Sequence, residues 1–203
     1  GGNIPLDVEE VIPQFMEHWV YEESILQSLA HLSQSSEEIP SDLLTHIVRR
    51  RSSQKKYELL ERLFISELEL AVFSAAEEDS IVALQKQMAE KYMSHTQFAK
   101  SDISPLMDVM MHNVVTGKSV GHYRYVWGEV MSADLFHVFQ QGGLSNKDHI
   151  QTKGRQFRSA FLDLGSTENN DFATRFHEFR GRTMSSQTML DMYGLSKISN
   201  TTK

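Results

Sequence analysis

The sequence has no cysteine, only four prolines and no apolar run near the roughly 18 residues of a membrane-spanning helix. Without cysteine there can be no disulfide and no thiolate metal site, so histidine and carboxylate side chains would have to hold any metal. Few stretches alternate between apolar and polar residues with the period of a strand, and no internal repeat is detectable. These absences predict an all-α protein with about seven helices.

The charge balance argues against two classes of partner. Twenty-seven acidic and 20 basic residues give a formal net charge of −7, so we expect no nucleic-acid partner and no anionic membrane surface. With 203 residues, 40% of them hydrophobic, the chain is long enough to bury one core, or one core plus an appendage. It begins with Gly-Gly rather than methionine, so we expect a processed product or a piece of a longer protein.

Apolar spacing predicts the helices in order. The first runs from Asp7, as N-cap, to about His31, with Pro13 bending its first turns or marking its true start. A long second helix starts at Ser41, and its basic run RRRSSQKK indicates either a solvated face or a break near Ser52. Later segments are predicted as a helix over 79–92, an irregular stretch containing Pro105, and helices ending near Gln141, Leu162, Phe179 and Tyr193.

The stretch GKSVGHYRYVWGEVMSADLF, residues 117–136, concentrates aromatic side chains behind two glycines four positions apart. Glycine permits a tight turn or the close approach of a ligand. A loop that presents an imidazole and tyrosine hydroxyls could donate hydrogen bonds to a carbonyl oxygen gaining charge. The alternative is an aromatic core helix whose tyrosines have ordinary partners.

Two blocks carry a family resemblance. The first is LDVEEVIPQFMEHWVYE, residues 6–22, and the second is HYRYVWGEVMSADLF, residues 122–136, with QQGGLSNKD, GSTE at 165–168 and FRGR at 179–182 following in order. This series resembles the C-terminal part of the thimet oligopeptidase family of zinc peptidases, above all the branch with oligopeptidase A and bacterial dipeptidyl carboxypeptidase. The resemblance implies that residues 1–203 form one helical domain or partial domain, the C-terminal half of a gluzincin catalytic domain.

The H-E-x-x-H motif that supplies two zinc ligands and the general base in that family is missing. His177 and Glu178 are adjacent, but Gly181 stands where the second histidine belongs, so this pair is a coincidence. The resemblance therefore implies zinc only if an upstream H-E-x-x-H segment completes the site, and no cofactor for this chain alone.

One metal ligand carries over by resemblance. The family's glutamate ligand stands nine positions before a tryptophan, which places it at Glu10 with Trp19 as the anchor. Catalytic zinc commonly has three protein ligands and an open position for water, so Glu10 would supply one of three. Apart from the resemblance, Glu10 is a first-turn carboxylate that suits the helix dipole.

The substrate-handling residues carry over in part. Tyr125 matches the family's tyrosine that stabilises the oxyanion, and His112 resembles its substrate-contacting histidine once one residue is inserted. Gly121, His122 and Tyr123 fall in the substrate-binding loop. Histidine replaces the first of two adjacent tyrosines at position 122, and the loop TGKSVGH keeps only two glycines.

Three hypotheses follow. The chain is the C-terminal piece of an active zinc oligopeptidase, cutting short peptides with the upstream half of the domain as its partner. Alternatively it is a degenerate pseudo-peptidase that serves as a structural subunit beside other proteins, or an unrelated helical protein. The first two imply an intracellular protein, cytoplasmic or in the mitochondrial matrix. They also imply no hydrolysis by the chain alone and exposed apolar surface where upstream helices would pack.

Overall fold

A computed structural model describes residues 4–31, 39–75, 80–96, 105–163 and 172–196. Within these ranges there is no strand, so the all-α prediction is confirmed. Gly165 and Ser166 of the GSTE motif lie outside them. The helices are a 3-10 turn Leu6–Val8, α1 Val11–Val20, α2 Glu23–His31, α3 Ser41–Ser74, α4 Ile81–Met93, α5 Pro105–Val115, α6 Arg124–Gln141, α7 Lys147–Phe157, a π-helix Arg158–Leu162, α8 Phe172–Arg180 and α9 Gln187–Met192.

The chain divides into two compact units. The first unit comprises residues 1–52 and 127–203, and the second comprises residues 53–126. No helix in the described ranges is both long enough and apolar enough to cross a membrane.

The core of the first unit is aromatic. Phe15 of α1 stacks on Phe157 of α7 with ring centroids 4.1 Å apart, and Trp19 meets the edges of Phe136 and Phe139 of α6 at 5.0 and 5.3 Å. Edge-to-face and stacked pairs of this kind add to the free energy gained by burying the rings. The tryptophan proposed as an anchor for Glu10 is therefore a partly buried residue that packs against the core of this unit.

Helix α6 is buried all round between residues 128 and 136. A helix in such a position must pair every polar side chain it carries, because an unpaired buried polar group is costly. Ser132 lies 3.2 Å from Nε2 of His18, and Glu129 accepts a hydrogen bond from the Tyr193 hydroxyl. Asp134 is the third buried polar residue, and its partners are described below.

The second unit has a smaller core. Phe64, Ile65 and Leu68 of α3 pack with Met88, Ala89 and Met93 of α4 and with Met110 of α5. Met110 is 2% exposed in this core, which suits the flexible side chain of methionine. This unit carries all three residues that the sequence places in a substrate-binding loop, Gly121, His122 and Tyr123.

The predicted first helix is wrong at both ends, whereas one of the two roles considered for Pro13, marking the helix start, is confirmed. Helix α1 begins at Val11 after Glu10, so Asp7 lies in the preceding 3-10 turn and is not the N-cap. Pro13 is the third residue of α1, where its missing N–H needs no partner, so it marks the helix start instead of bending a longer helix. The helix also ends at Val20, and α2 starts only at Glu23.

The long second helix is confirmed as α3, but the break considered near Ser52 does not occur. Half of the basic run is exposed, whereas Lys55 is buried. Arg51 lies 3.5 Å from Glu17 and over the Tyr21 ring. Pro105 was expected in an irregular stretch and instead opens α5. Proline suits the first position of a helix because its fixed φ matches and the N–H there is unbonded in any case.

Candidate functional site

The predicted site residues fall in both units. Glu10 belongs to the first unit, whereas His112, Gly121, His122, Tyr123 and Tyr125 belong to the second. Each group is built from a different set of contacts.

Glu10 is the half-buried residue that precedes α1, and its side chain does not cap that helix. Its backbone carbonyl accepts the first hydrogen bond of α1 from the Gln14 N–H at 3.1 Å. Gly128 of α6 lies so close that a Cβ there would stand 2.9 Å from Cβ of Glu10 and 3.2 Å from its carbonyl carbon. The absence of a side chain at position 128 is therefore what lets α6 reach the backbone of Glu10.

A zinc site needs more donors than this part of the chain provides. Within the described residues there is no group of three or more histidine, aspartate and glutamate side chains that could hold a metal ion. A carboxylate is a suitable zinc donor, so Glu10 fits as one ligand of a larger set. The described residues do not make a complete site.

The loop between α5 and α6 is shaped by left-handed residues. Gly117 has φ +73°, and nothing lies within 4 Å of the place where its Cβ would be, so conformation and not close approach requires glycine there. The other left-handed residue of this loop is Val120 at φ 55°, one position before Gly121. Gly121 is buried and donates its N–H to the carbonyl of Lys118 at 3.1 Å.

His122 sits in a buried hydrogen-bond network. Its backbone N–H donates to Oε2 of Glu69 at 2.9 Å, while Nδ2 of Asn113 donates to Oε1 of the same carboxylate at 2.9 Å. The same amide nitrogen lies 3.1 Å from Nδ1 of His122. Because an amide nitrogen carries two hydrogens and accepts none, Nδ1 is the acceptor and the imidazole proton is on Nε2.

The charge state of His122 agrees with that assignment. Burial, together with the positive charges of Arg124 and Arg62, lowers the pKa of His122 from 6.5 to about 4. The imidazole is therefore neutral near pH 7 and serves as part of the buried frame of the loop.

Tyr125 is held by its neighbour. The Arg124 guanidinium donates from one terminal nitrogen to the Tyr125 hydroxyl oxygen at 2.7 Å and from the other to the Gly121 carbonyl at 2.9 Å. The His122 ring lies 5.0 Å from the Tyr125 ring, centroid to centroid. Gly121, His122 and Tyr125 thus belong to one connected group of contacts.

The other two predicted residues are exposed. The His112 side chain is exposed on α5, and the adjacent residue Asn113 is the one that enters the network. Tyr123 is 41% exposed. The predicted roles of these two residues as substrate contacts stay predictions.

A second polar cluster lies in the first unit around Asp134, which is completely buried. Its carboxylate accepts hydrogen bonds from Nε of Arg180 at 2.8 Å and from both terminal nitrogens of Arg182 at 2.7 and 2.6 Å. The Thr188 hydroxyl and the Ser185 N–H complete the set at 3.1 and 3.2 Å. Burial raises the pKa of Asp134, but the two arginines outweigh burial and leave the pKa below its ordinary value.

Sequence reasoning missed several of these residues. It quoted FRGR and the block that contains Asp134 separately and did not pair them, although two arginines in four residues signal a carboxylate partner. It passed over Glu69, Asn113 and Arg124. Only Arg124 gave a signal, because it interrupts the aromatic string HYRY.

Comparison with known proteins decides the family. A family model described as peptidase family M3 matches residues 1–195. The chain belongs to this family. Its M3 relatives include the organellar oligopeptidase A, chloroplastic/mitochondrial, of Arabidopsis thaliana, 29% identical over 201 residues that cover 95% of this chain and 24% of that protein.

Two further M3 relatives show the same pattern of coverage. The probable cytosolic oligopeptidase A of Arabidopsis thaliana is 29% identical, covering 95% of this chain and 27% of that protein. The oligopeptidase A of Escherichia coli is 24% identical over 194 residues, covering 96% and 28%. The M3 chain therefore spans about a quarter of the length of the curated relatives it matches.

Proposed function

We propose that this chain is the C-terminal portion of the catalytic domain of a zinc oligopeptidase that cleaves short peptides. In this proposal Glu10 is one zinc ligand, Tyr125 is the donor to the oxyanion, and the chain is inactive alone. Members of family M3 are zinc metallopeptidases, and the remaining ligands would come from polypeptide outside the described residues. The relatives named cytosolic and organellar support an intracellular location.

The observation that carries the proposal is the fixed hydroxyl of Tyr125. A hydrogen-bond donor lowers a reaction barrier when it is already in place before charge develops on the substrate oxygen. Tyr125 lies in the first turn of α6, where the positive end of the helix dipole also favours negative charge. Arg124 holds its oxygen at 2.7 Å, so the hydroxyl does not have to reorganise when a substrate arrives.

The residues of this chain would divide the work as follows. Bound zinc in such a site supplies a Lewis acid and an activated water. Glu10 would give one carboxylate oxygen to the metal, and Gly128 would let α6 pack against the backbone that carries it. Tyr125 would donate its proton in a hydrogen bond to the former carbonyl oxygen, while Gly121 and His122 would keep the loop in shape.

A pseudo-peptidase is the second candidate, and the state of His122 favours it. By resemblance this position belongs to a substrate-handling tyrosine, yet His122 is 5% exposed and both its backbone N–H and its Nδ1 are used internally. In that case the hydrogen-bond network around His122 and the Asp134 cluster stabilise the fold of a chain that has lost catalytic activity.

The two candidates differ in measurements on the native assembly that contains this chain. We expect stoichiometric zinc, cleavage of a short fluorogenic peptide, and a loss of about a hundredfold in kcat for Tyr125→Phe. Tyr57→Phe, the same chemical change on α3, is the control and should leave kcat unchanged. Glu10→Gln should release zinc, whereas Glu9→Gln should not. A metal-free assembly without cleavage would rule out the enzyme and favour the pseudo-peptidase.

A further inference from the structure

An apolar groove of about 400 Å³ lies in the second unit, where side chains of α3, α4 and α5 line it. None of the described residues that line it is charged. Four of its large apolar side chains are 44–50% exposed, namely Phe73, Ile81, Val82 and Met111. A contiguous apolar patch of this kind on a protein surface marks a place where something binds.

One polar residue lies among the described residues of this lining. Gln85 of α4 is 1% exposed, and its Nε2 has no hydrogen-bond partner within the part of the chain that the structure describes. A buried donor without an acceptor costs free energy. The terminal torsion of glutamine is soft, so a rotation would turn this amide toward an acceptor that arrives in the groove. The groove therefore suits an apolar occupant that also brings one oxygen atom.

The open form of the groove favours a protein segment over a small molecule. A pocket for a small molecule encloses most of its ligand and directs several polar groups at it. Here the apolar side chains at the rim are half-exposed, and Gln85 is the one polar residue in the described lining. A groove lined by several helices is the kind of surface against which an amphipathic helix packs its apolar face.

We propose that an apolar segment of the upstream polypeptide of the M3 catalytic domain fills this groove and brings a backbone carbonyl to Gln85. This chain covers 24% of the organellar relative and 27% of the cytosolic one, so about three quarters of each relative has no counterpart in it. A second copy of this chain is a poorer partner, because each copy has a formal net charge of −7. The identity of the occupant rests on the proposed function, in which an upstream polypeptide completes the domain.

The groove adjoins the hydrogen-bond network around His122. Phe73 follows Glu69 by about one turn of α3, and Val114 follows Asn113 directly on α5. Glu69 and Asn113 are the two side chains that contact His122 through hydrogen bonds. An occupant of the groove thus packs on the same two helices that hold the loop before α6, so docking and loop position are linked.

Photo-crosslinking in the native assembly identifies the occupant. With p-benzoylphenylalanine in place of Val82, we expect an adduct with the polypeptide that corresponds to the upstream three quarters of the M3 relatives. The same probe in place of the exposed Gln87, about 200° around α4 from Gln85, is the control and should give little adduct. An adduct with a second copy of this chain or with an unrelated protein would overturn the inference, and so would a yield at Val82 no higher than at Gln87.

Gln85 supplies a test that separates docking from folding. In the isolated full chain Gln85→Met should not lower the midpoint of urea unfolding, because the lost donor has no acceptor among the described residues. In the native assembly the amide hydrogens of α4 should exchange more slowly than in the isolated chain, and Gln85→Met should speed that exchange about tenfold. Gln87→Met is the matched control and should change neither measurement. A lower midpoint for the isolated variant, or unchanged exchange in the assembly, would contradict the role of Gln85.

Zinc content and cleavage of a short fluorogenic peptide keep this inference apart from the proposed function. If the crosslink joins the upstream polypeptide but the assembly is metal-free and inert, the docking surface stands and the proposed function fails. If the assembly contains zinc and cleaves the peptide but the probe at Val82 joins another partner or none, the proposed function stands and the docking surface is refuted.

Discussion

The contact between Gly128 and Glu10 gives the sharpest prediction about the geometry of this chain. Replacing Gly128 by alanine would put a Cβ 2.9 Å from Cβ of Glu10, 2.9 Å from Oε1 of Gln14 and 3.2 Å from the Glu10 carbonyl carbon. Carbon atoms in contact prefer about 3.5–4.0 Å. The Gln14 side chain can rotate away, but Glu10 can yield only by moving the backbone at the start of α1.

The size of the effect follows from two opposed contributions. Alanine in place of a mid-helix glycine stabilises a helix by about 0.5–1 kcal/mol. Forcing an extra methyl group into a packed contact costs about 1–3 kcal/mol. Gly154 in the middle of α7 supplies the matched control, because nothing lies within 4 Å of its Cβ position. The helix contribution is common to both variants, so their difference isolates the contact with Glu10.

We therefore expect Gly154→Ala to raise the free energy of unfolding by about 0.5–1 kcal/mol, and Gly128→Ala to fall about 1–3 kcal/mol below it. Urea unfolding of the full chain, followed by circular dichroism, measures both. Equal stabilisation by the two substitutions would refute the close packing of α6 on Glu10. In a zinc-containing assembly Gly128→Ala should in addition weaken zinc binding, since it displaces the proposed ligand.

Three further predictions concern other features of the chain. Asp134→Ala should lower the free energy of unfolding by about 3–5 kcal/mol, because the guanidinium groups of Arg180 and Arg182 lose their carboxylate partner. Asp163→Ala, at an exposed ion pair, should lower it by less than about 1 kcal/mol, and urea unfolding measures both. The unfolded chain binds a proton at His122 near pH 6.5 and the folded chain only near pH 4, so stability should be complete above pH 6.5. The free energy of unfolding should fall by up to about 3 kcal/mol as the pH drops to about 4. Unfolding curves collected across this pH range should show a smaller decline for His122→Asn. An equally steep decline in the variant would contradict the assignment of the pH dependence to His122. The isolated chain should bind a hydrophobic dye at the apolar groove of about 400 Å³ in the second unit, and Phe73→Ser should reduce the fluorescence more than Leu162→Ser does.

The sequence predicted where helices exist better than where they begin and end. The signal at Pro13 was sufficient to start α1 near Val11, because proline is tolerated only in the first turn, but the good capping residue Asp7 competed with it. The sequence around Val20 gives no signal that α1 ends there, because it contains neither glycine nor proline. The two serines after Arg51 suggested a break that the continuous α3 does not have, since weak helix propensity yields to tertiary packing.

For the candidate site, residues that are close in sequence could be predicted, whereas residues that are far apart in sequence could not. Gly121, His122 and Tyr125 are neighbours in the chain, so a motif could name them together. Glu69 lies 53 residues before His122, and only the folding of α3 beside the loop brings its carboxylate to that N–H. A pairing of this kind leaves no trace in spacing or composition, which is why the residues that fix the loop were missed while those on it were found.

The histidine at position 122 bears on whether this member of family M3 is a divergent enzyme or a degenerate one. A neutral, buried imidazole whose Nδ1 already accepts a hydrogen bond is poorly suited to exchange a proton with a substrate near pH 7. The imidazole instead contacts Asn113 and lies 5.0 Å from the Tyr125 ring, centroid to centroid. The resemblance implies a tyrosine at this position, and its replacement by histidine leaves the proposed oxyanion donor in place. Under the proposed function the deciding chemistry lies with Tyr125 and with the metal ligands that would join Glu10, because a fixed donor accelerates hydrolysis only where an activated water can attack.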